Sequence, residues 1–237
     1  MKLIVANWKS NHNIDSTREW FEKFKLLAKQ KQLFNNSVVQ VVITPPHSLL
    51  AEVKQLITVH GLGILKIGAQ DISQFESGSY TGAISAKNME GLEVEYVLVG
   101  HSERRKHFFE NDEVVAAKVE RAIQHNLTPI LCLSRDKITS QANTINPDYY
   151  SQLIAAYEPV EAIGSGCNAD PADVAKAIKD IQQVFGETPV LYGGSVCADN
   201  VASYLEVCNG VLVGGASLEA ESFIDLIVAA QIKVTSS

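Results

Sequence analysis

Residues 155–166, AAYEPVEAIGSG, set a carboxylate, Glu158, at the end of an apolar run. Pro159 stops that run, and a second carboxylate, Glu161, follows three residues after the first. A stretch of small residues containing Gly164 comes next. Two acids this close raise paired-carboxylate proton chemistry, one group giving a proton and the other taking it. Other chemistry-bearing residues also stand just after apolar runs. They are Asn7 and Lys9 near the start, His101 after VEYVLVG, and the late turns Gly193-Gly194-Ser195 and Gly214-Gly215. His101 leads into SERRKHF, which has the pattern of a helix beginning at Ser102. The positive end of such a helix disfavours an imidazolium, so His101 is expected to stay neutral and to donate a hydrogen bond. His107, further along that helix, is expected to be peripheral. The glycines expose backbone N–H groups, two of the turns lying beside expected helix starts. Such groups bind a phosphate dianion without help from Arg or Lys. Tight strand-to-helix turns would use the same glycines, and the residues alone leave both readings open.

Any one of these residues, taken alone, is an ordinary loop or strand-end residue. They become a site only if a fold gathers them. Eight short runs, apolar on both faces, are strand candidates: 3–8, 38–43, 64–70, 94–100, 128–133, 153–158, 189–193 and 210–214. Amphipathic segments fall between them. The segment 15–30 carries Trp20, Phe21, Phe24, Leu27 and Ala28 on one face, with Asp15 or Ser16 as the expected N-cap. The segments 112–125 and 170–185 have the same pattern, the latter with Pro171 at its first position. Strands at roughly 30-residue spacing imply a (β/α)8 barrel, which converges the C-terminal ends of its strands on one face. An open doubly wound sheet would carry a glycine-rich turn after its first strand. Here the first strand runs into Asn7-Trp8-Lys9, and the glycine pairs come late. Residues 134–150 are polar, contain Pro147 and have weak helical periodicity, so the fifth helix is expected to be short or irregular. No shift in composition divides the chain, and 1–237 is expected to be a single domain.

The 237 residues are 46% hydrophobic and 20% charged, with a formal net charge of −7. Enough apolar material is present for a large core, and the acidic balance argues against nucleic acid or an anionic membrane as partner. Cys132, Cys167, Cys197 and Cys208 form no C-x-x-C pair and have no accompanying His cluster, so no metal is expected. They are expected to be small buried or idle thiols in a reducing compartment. The opening apolar run, 3–6, is too short for a secretory signal, and no run approaches the roughly 18 residues of a membrane span.

Taken together, NWK at 7–9, GHSERR at 100–105, AYEPV with AIG at 156–164, YGGSV at 192–196 and LVGGASL at 212–218 resemble the triosephosphate isomerase family, in the right order over nearly the whole chain. The resemblance implies a single (β/α)8 TIM barrel. It implies interconversion of dihydroxyacetone phosphate and D-glyceraldehyde 3-phosphate through an enediolate, in glycolysis and gluconeogenesis, with no cofactor. Glu158 would move the proton between the two carbons, and His101 would polarise the carbonyl. Lys9 would supply positive charge, and Asn7 a hydrogen bond. Gly164, Ser195, Gly214 and Gly215 would donate N–H groups to the phosphate, and Glu103 would orient Lys9. Residues 159–169 would close over the substrate. The segment 68–85 resembles the family's interdigitating loop, so the resemblance also implies a cytoplasmic homodimer in which Thr81 reaches the neighbour's site. Another barrel enzyme acting on a sugar or indole phosphate would share the late glycines but not NWK, HSERR and YEPV together. A catalytically weak relative would have lost Lys9, His101 or Glu158, and all three are present.

The chain departs from the family in four places. Ala83 stands where Glu is usual, so Arg104, that acid's usual partner across the subunits, must lack an ion pair or find another. Cys132-Leu133-Ser134-Arg135 stands in place of CIGE, the short fifth helix resembles that of compact archaeal-type members, and Glu161 replaces the usual Trp. An ion pair between Glu161 and Arg135 is expected to replace the lost Trp–Glu contact.

Overall fold

The strands are apolar on both faces because the fold buries both. In a strand, alternate side chains point to opposite sides. Leu3, Val5, Val42, Leu98, Ile130 and Leu212 point inward and fill the centre of a closed barrel. Their neighbours Ile4, Ala6, Val41, Ile43, Val97 and Val99 point outward, into the layer beneath the helices. The computed structural model describes residues 1–33, 38–159 and 168–235.

In chain order the elements are β1 (Lys2–Asn7), α1 (Ile14–Gln30), β2 (Val39–Thr44), α2 (Leu50–His60), β3 (Leu65–Ala69) and β4 (Val94–Val99). Then come α3 (Ser102–His107), α4 (Asp112–Gln124), β5 (Thr128–Leu133), α5 (Ile138–Ala142), β6 (Ile154–Tyr157) and α6 (Pro171–Phe185). The chain finishes with β7 (Val190–Tyr192), α7 (Val201–Val207), β8 (Gly210–Val213) and α8 (Ala220–Thr235). The strands are parallel and pair in sequence order, and β8 closes onto β1 from Leu3↔Gly210 to Ala6↔Val213. All eight expected strands are present, shifted at most by a residue at each end.

The expected N-cap of α1 is corrected. Asn13 caps it: its side chain accepts from the Ser16 N–H, and Ser16 Oγ accepts from the Asn13 N–H, both at 3.0 Å. Asp15 instead sits in the first turn, where a negative charge meets the positive helix end. Asp170 caps α6, with Pro171 at the first helical position. The fifth helix is one short piece, α5, flanked by 3-10 turns at Arg135–Lys137 and Pro147–Gln152. Between β3 and β4 lies no α-helix. Residues 75–83 of that connection are exposed. They present Phe75 stacked on Tyr80, with ring centroids 4.2 Å apart.

Candidate active site

The two-residue period that fills the barrel also builds its mouth. Leu3 and Val5 point inward, so Asn7, next in phase, ends β1 facing the same way. Ala156 points inward, and Glu158 follows it one step past the end of β6. Leu212 leads in the same way to Gly214. Asn7, Lys9, His101, Glu158, Ser195, Gly214 and Gly215 line one cavity of about 410 Å³ at the C-terminal ends of the strands. The fold thus gathers the residues that spacing alone left scattered.

Lys9 has φ 51°, a left-handed conformation uncommon for a side-chain-bearing residue. Three contacts hold it there. The Lys9 N–H donates to Asn7 Oδ1 at 3.0 Å, and Gln70 Nε2 donates to the Lys9 carbonyl and to the Thr44 carbonyl, each at 2.9 Å. The ammonium donates to Glu103 Oε1 at 2.6 Å. Burial raises the Glu103 carboxyl, but the Lys9 hydrogen bond and nearby positive charge outweigh it and hold the group below its ordinary range. Glu103 therefore stays charged beside Lys9. A side chain on Gly214 would lie 3.5 Å from Lys9 Cε, so the lysine stem passes beside Gly214.

His101 caps α3. Its Nδ1 accepts from the Glu103 N–H at 3.2 Å. An amide N–H can only donate, so Nδ1 carries no proton and the ring is neutral with its proton on Nε2. The 3.7 Å approach of Nδ1 to the Glu103 carboxylate is accordingly not an ion pair. Nε2 faces Glu158 Oε1 at 3.1 Å, and Glu158 Oε2 accepts from the Ser102 N–H at 3.1 Å. Glu158 is 3% exposed, a carboxylate withdrawn from water with two donors in place. Behind His101, Arg105 donates to the Gly100 carbonyl at 2.8 Å and to Asp112 at 2.7 Å, bracing the turn that carries the imidazole.

Sequence reasoning missed some contributors. Cys132, expected to be an idle thiol, lies close enough to Glu158 to feel its charge. Burial first, and then the Glu158 charge, push the thiol well above its ordinary range, so it remains an S–H. Its position, two residues after inward-facing Ile130, was the signal. Gln70 and Asn200 were missed as well. Asn200 Nδ2 donates to the Ser195 carbonyl at 3.0 Å, and its Oδ1 accepts from the Cys197 N–H at 2.9 Å, shaping the turn that carries Ser195. Among the described residues, no group of three or more His, Cys, Asp or Glu side chains is gathered as metal ligands would be.

Other expected residues lie elsewhere. Thr81 is exposed, apart from its own chain's mouth cavity. Arg104 has found partners within its own chain, Asp71 at 2.8 Å and Glu110 at 2.6 Å. Arg135 faces Asp180 at 3.5 Å with both side chains about half exposed. Glu161 and Gly164 lie outside the described residues, and with them the expected Glu161–Arg135 pair and most of 159–169.

A sequence model of the family described as Triosephosphate isomerase matches residues 2–230. Among similar proteins, the triosephosphate isomerase of Mesomycoplasma hyorhinis is 37% identical over 241 residues, spanning 95% of this chain and 97% of that protein. That of Symbiobacterium thermophilum is 36% identical, spanning 96% of each. That of Hahella chejuensis is 36% identical, spanning 97% of this chain and 98% of that protein.

Proposed function

Since the chain belongs to the triosephosphate isomerase family, we propose that Glu158, His101 and Lys9 carry the family's proton transfer at the mouth of its barrel. The chain is an isomerase, and its reaction is the glycolytic interconversion of dihydroxyacetone phosphate and D-glyceraldehyde 3-phosphate. In this reading Glu158 removes a proton from the carbon beside the substrate carbonyl and returns it to the neighbouring carbon. The Nε2–H of His101 hydrogen-bonds to the substrate oxygens as negative charge develops on them. A neutral imidazole beside a carboxylate base is the arrangement known for this family, and here the Glu103 N–H on Nδ1 supports it. Lys9 places its ammonium where enediolate and phosphate charge meet, and Asn7 adds a donor. The N–H groups of Ser195, Gly214 and Gly215 receive the phosphate. A preorganised donor aimed at a developing oxyanion contributes about 3–4 kcal/mol in enzymes generally.

The observation that carries the reading is the pair of 3.1 Å contacts at Glu158, one to His101 Nε2 and one to the Ser102 N–H. They hold a dry carboxylate beside a ring of defined tautomer. To reach a substrate carbon, the carboxylate must exchange those partners for the substrate. We read 1–237 as one domain, which is supported by a barrel whose strands run from Lys2 to Val213. We read the enzyme as a homodimer. Exposed Phe75 and Tyr80, with Phe108 and Phe109 exposed by 64% and 86%, support a partner-covered face near Thr81. Its place in glycolysis supports a cytoplasmic location, and among the described residues no helix is long and apolar enough to cross a membrane.

The test is a coupled assay of D-glyceraldehyde 3-phosphate turnover by the wild type and Glu158→Gln. Removing a general base is expected to lower kcat by about 10²- to 10⁴-fold. Equal turnover by both proteins would overturn the assignment.

A further inference from the structure

Two tyrosines close around Ala169, at the edge of the mouth, and take no part in the proton chemistry. Tyr192 ends β7, and Tyr204 lies on α7. Both are buried, 0% and 2% exposed, and their rings stack with centroids 4.1 Å apart. The Ala169 N–H donates to the Tyr192 hydroxyl at 3.1 Å. The Tyr204 hydroxyl donates to the Ala169 carbonyl at 2.8 Å. Ala169 is thus held at both its N–H and its carbonyl by the two stacked tyrosines. Burial pushes the Tyr204 phenol well above its ordinary range, so it keeps the proton it donates to Ala169.

The same tyrosine pair shapes the turn beside it. A Cβ on Gly194 would lie 2.1 Å from the Tyr192 hydroxyl. Tyr192 therefore excludes a side chain at Gly194 whether or not an anion is bound. Ser195 follows immediately, its carbonyl held by Asn200, and Asn168, Gly194 and Ser195 all line the mouth cavity.

We propose that Tyr204 is a positioning residue for the phosphate end of the active site. By holding the Ala169 carbonyl it fixes Ala169 and, through the Ala169 N–H, the Tyr192 hydroxyl, and through Tyr192 it sets the Gly194-Ser195 turn that receives the anion. This rests on the isomerase reading of the cavity. Tyr204 touches none of Lys9, His101 or Glu158, so losing its hydroxyl weakens phosphate capture and spares proton transfer.

The experiment compares the wild type with Tyr204→Phe, which keeps the stacked ring and removes the hydroxyl. The readouts are kcat and KM for D-glyceraldehyde 3-phosphate, competitive inhibition by inorganic phosphate, calorimetric phosphate affinity, and Tm. Leaving a buried carbonyl without its donor predicts that KM and the phosphate inhibition constant rise together by about 5- to 30-fold, with kcat nearly unchanged. Tyr204→Leu, which also removes the stack, is expected to raise both constants at least as far. Either of two results would overturn the proposal: KM and phosphate inhibition unchanged in Tyr204→Phe, or a lower Tm with unchanged kinetics. A wild type without isomerase turnover sinks the isomerase reading separately. The calorimetric comparison then still decides the role of Tyr204, and a wild type that binds no phosphate rejects it.

Discussion

Gly193 offers a graded way to displace the proposed base without changing its chemistry. A Cβ added there would lie 3.1 Å from Glu158 Cγ and 3.4 Å from the Tyr157 carbonyl oxygen. Comfortable contact between carbons begins near 3.5 Å, so Glu158 must retreat by about 0.4 Å in Gly193→Ala. The retreat strains the bonds from Ser102 and His101, each 3.1 Å in the wild type. A misplacement of about 1 Å in an active site costs on the order of 10²-fold in rate, so about 0.4 Å predicts about a 6-fold loss of kcat. That corresponds to about 1 kcal/mol of barrel-mouth geometry transmitted to the barrier. The coupled assay measures it, with Gly63→Ala as control because a Cβ there meets nothing within 4 Å. Gly193→Ala with wild-type kcat would refute the reasoning, since the proposed base would then be indifferent to its position.

Three further outcomes follow from the structure. Lys118 Nζ lies 2.5 Å from both Asp71 and Glu110, and Lys118 and Glu110 side chains are each 5% exposed. Lys118→Met leaves buried carboxylates under-compensated, and a loss of about 3–5 kcal/mol is expected. Calorimetry should record this as a Tm lower by about 6–10 °C, and an unchanged Tm would contradict it. Asp112 is raised by burial, but hydrogen bonds from Ser140 and Arg105 and the charges of Arg105 and Lys137 outweigh this and hold it below its ordinary 3.8. Its stabilisation is therefore present above pH 3.8 and lost as pH falls through the lower folded value, so the Tm gap between wild type and Asp112→Asn should narrow in acid and close at the lowest pH. A gap that widens in acid would reverse the sign. If the proposed homodimer covers the exposed face at Phe109, Phe109→Asp should sediment as monomer where the wild type sediments as dimer, and a wild type that already sediments as monomer would count against the proposal.

Much of the fold was visible in the chain because barrel strands buried on both faces leave continuous apolar runs. Their places at strand ends marked Glu158 and Asn7 as candidates, and the inward phase of Ala156 and Val5 is what carries both into the mouth. Local capping was harder. Asn13, Asp15 and Ser16 are all cap-formers, and only the reciprocal bond between Asn13 and Ser16 decides among them. Contacts made between neighbouring elements left no signal beyond strand phase. Cys132 meets Glu158 from the neighbouring strand, and Tyr204 meets Ala169 across the α7–α6 edge. Arg104 shows the same limit: the loss of an acid at Ala83 was readable, but its replacement by Asp71 and Glu110 depended on how α3 packs against α4 and the β3–β4 connection.

The most direct test of the account is solvent deuterium exchange during turnover in D₂O, followed by proton NMR for the wild type and Glu158→Gln. A single carboxylate passing a proton between adjacent carbons predicts deuterium at the carbon beside the carbonyl in the wild-type product. It also predicts that turnover and exchange fall together in the variant. Isomerisation without deuterium incorporation, or wild-type exchange by Glu158→Gln, would contradict it.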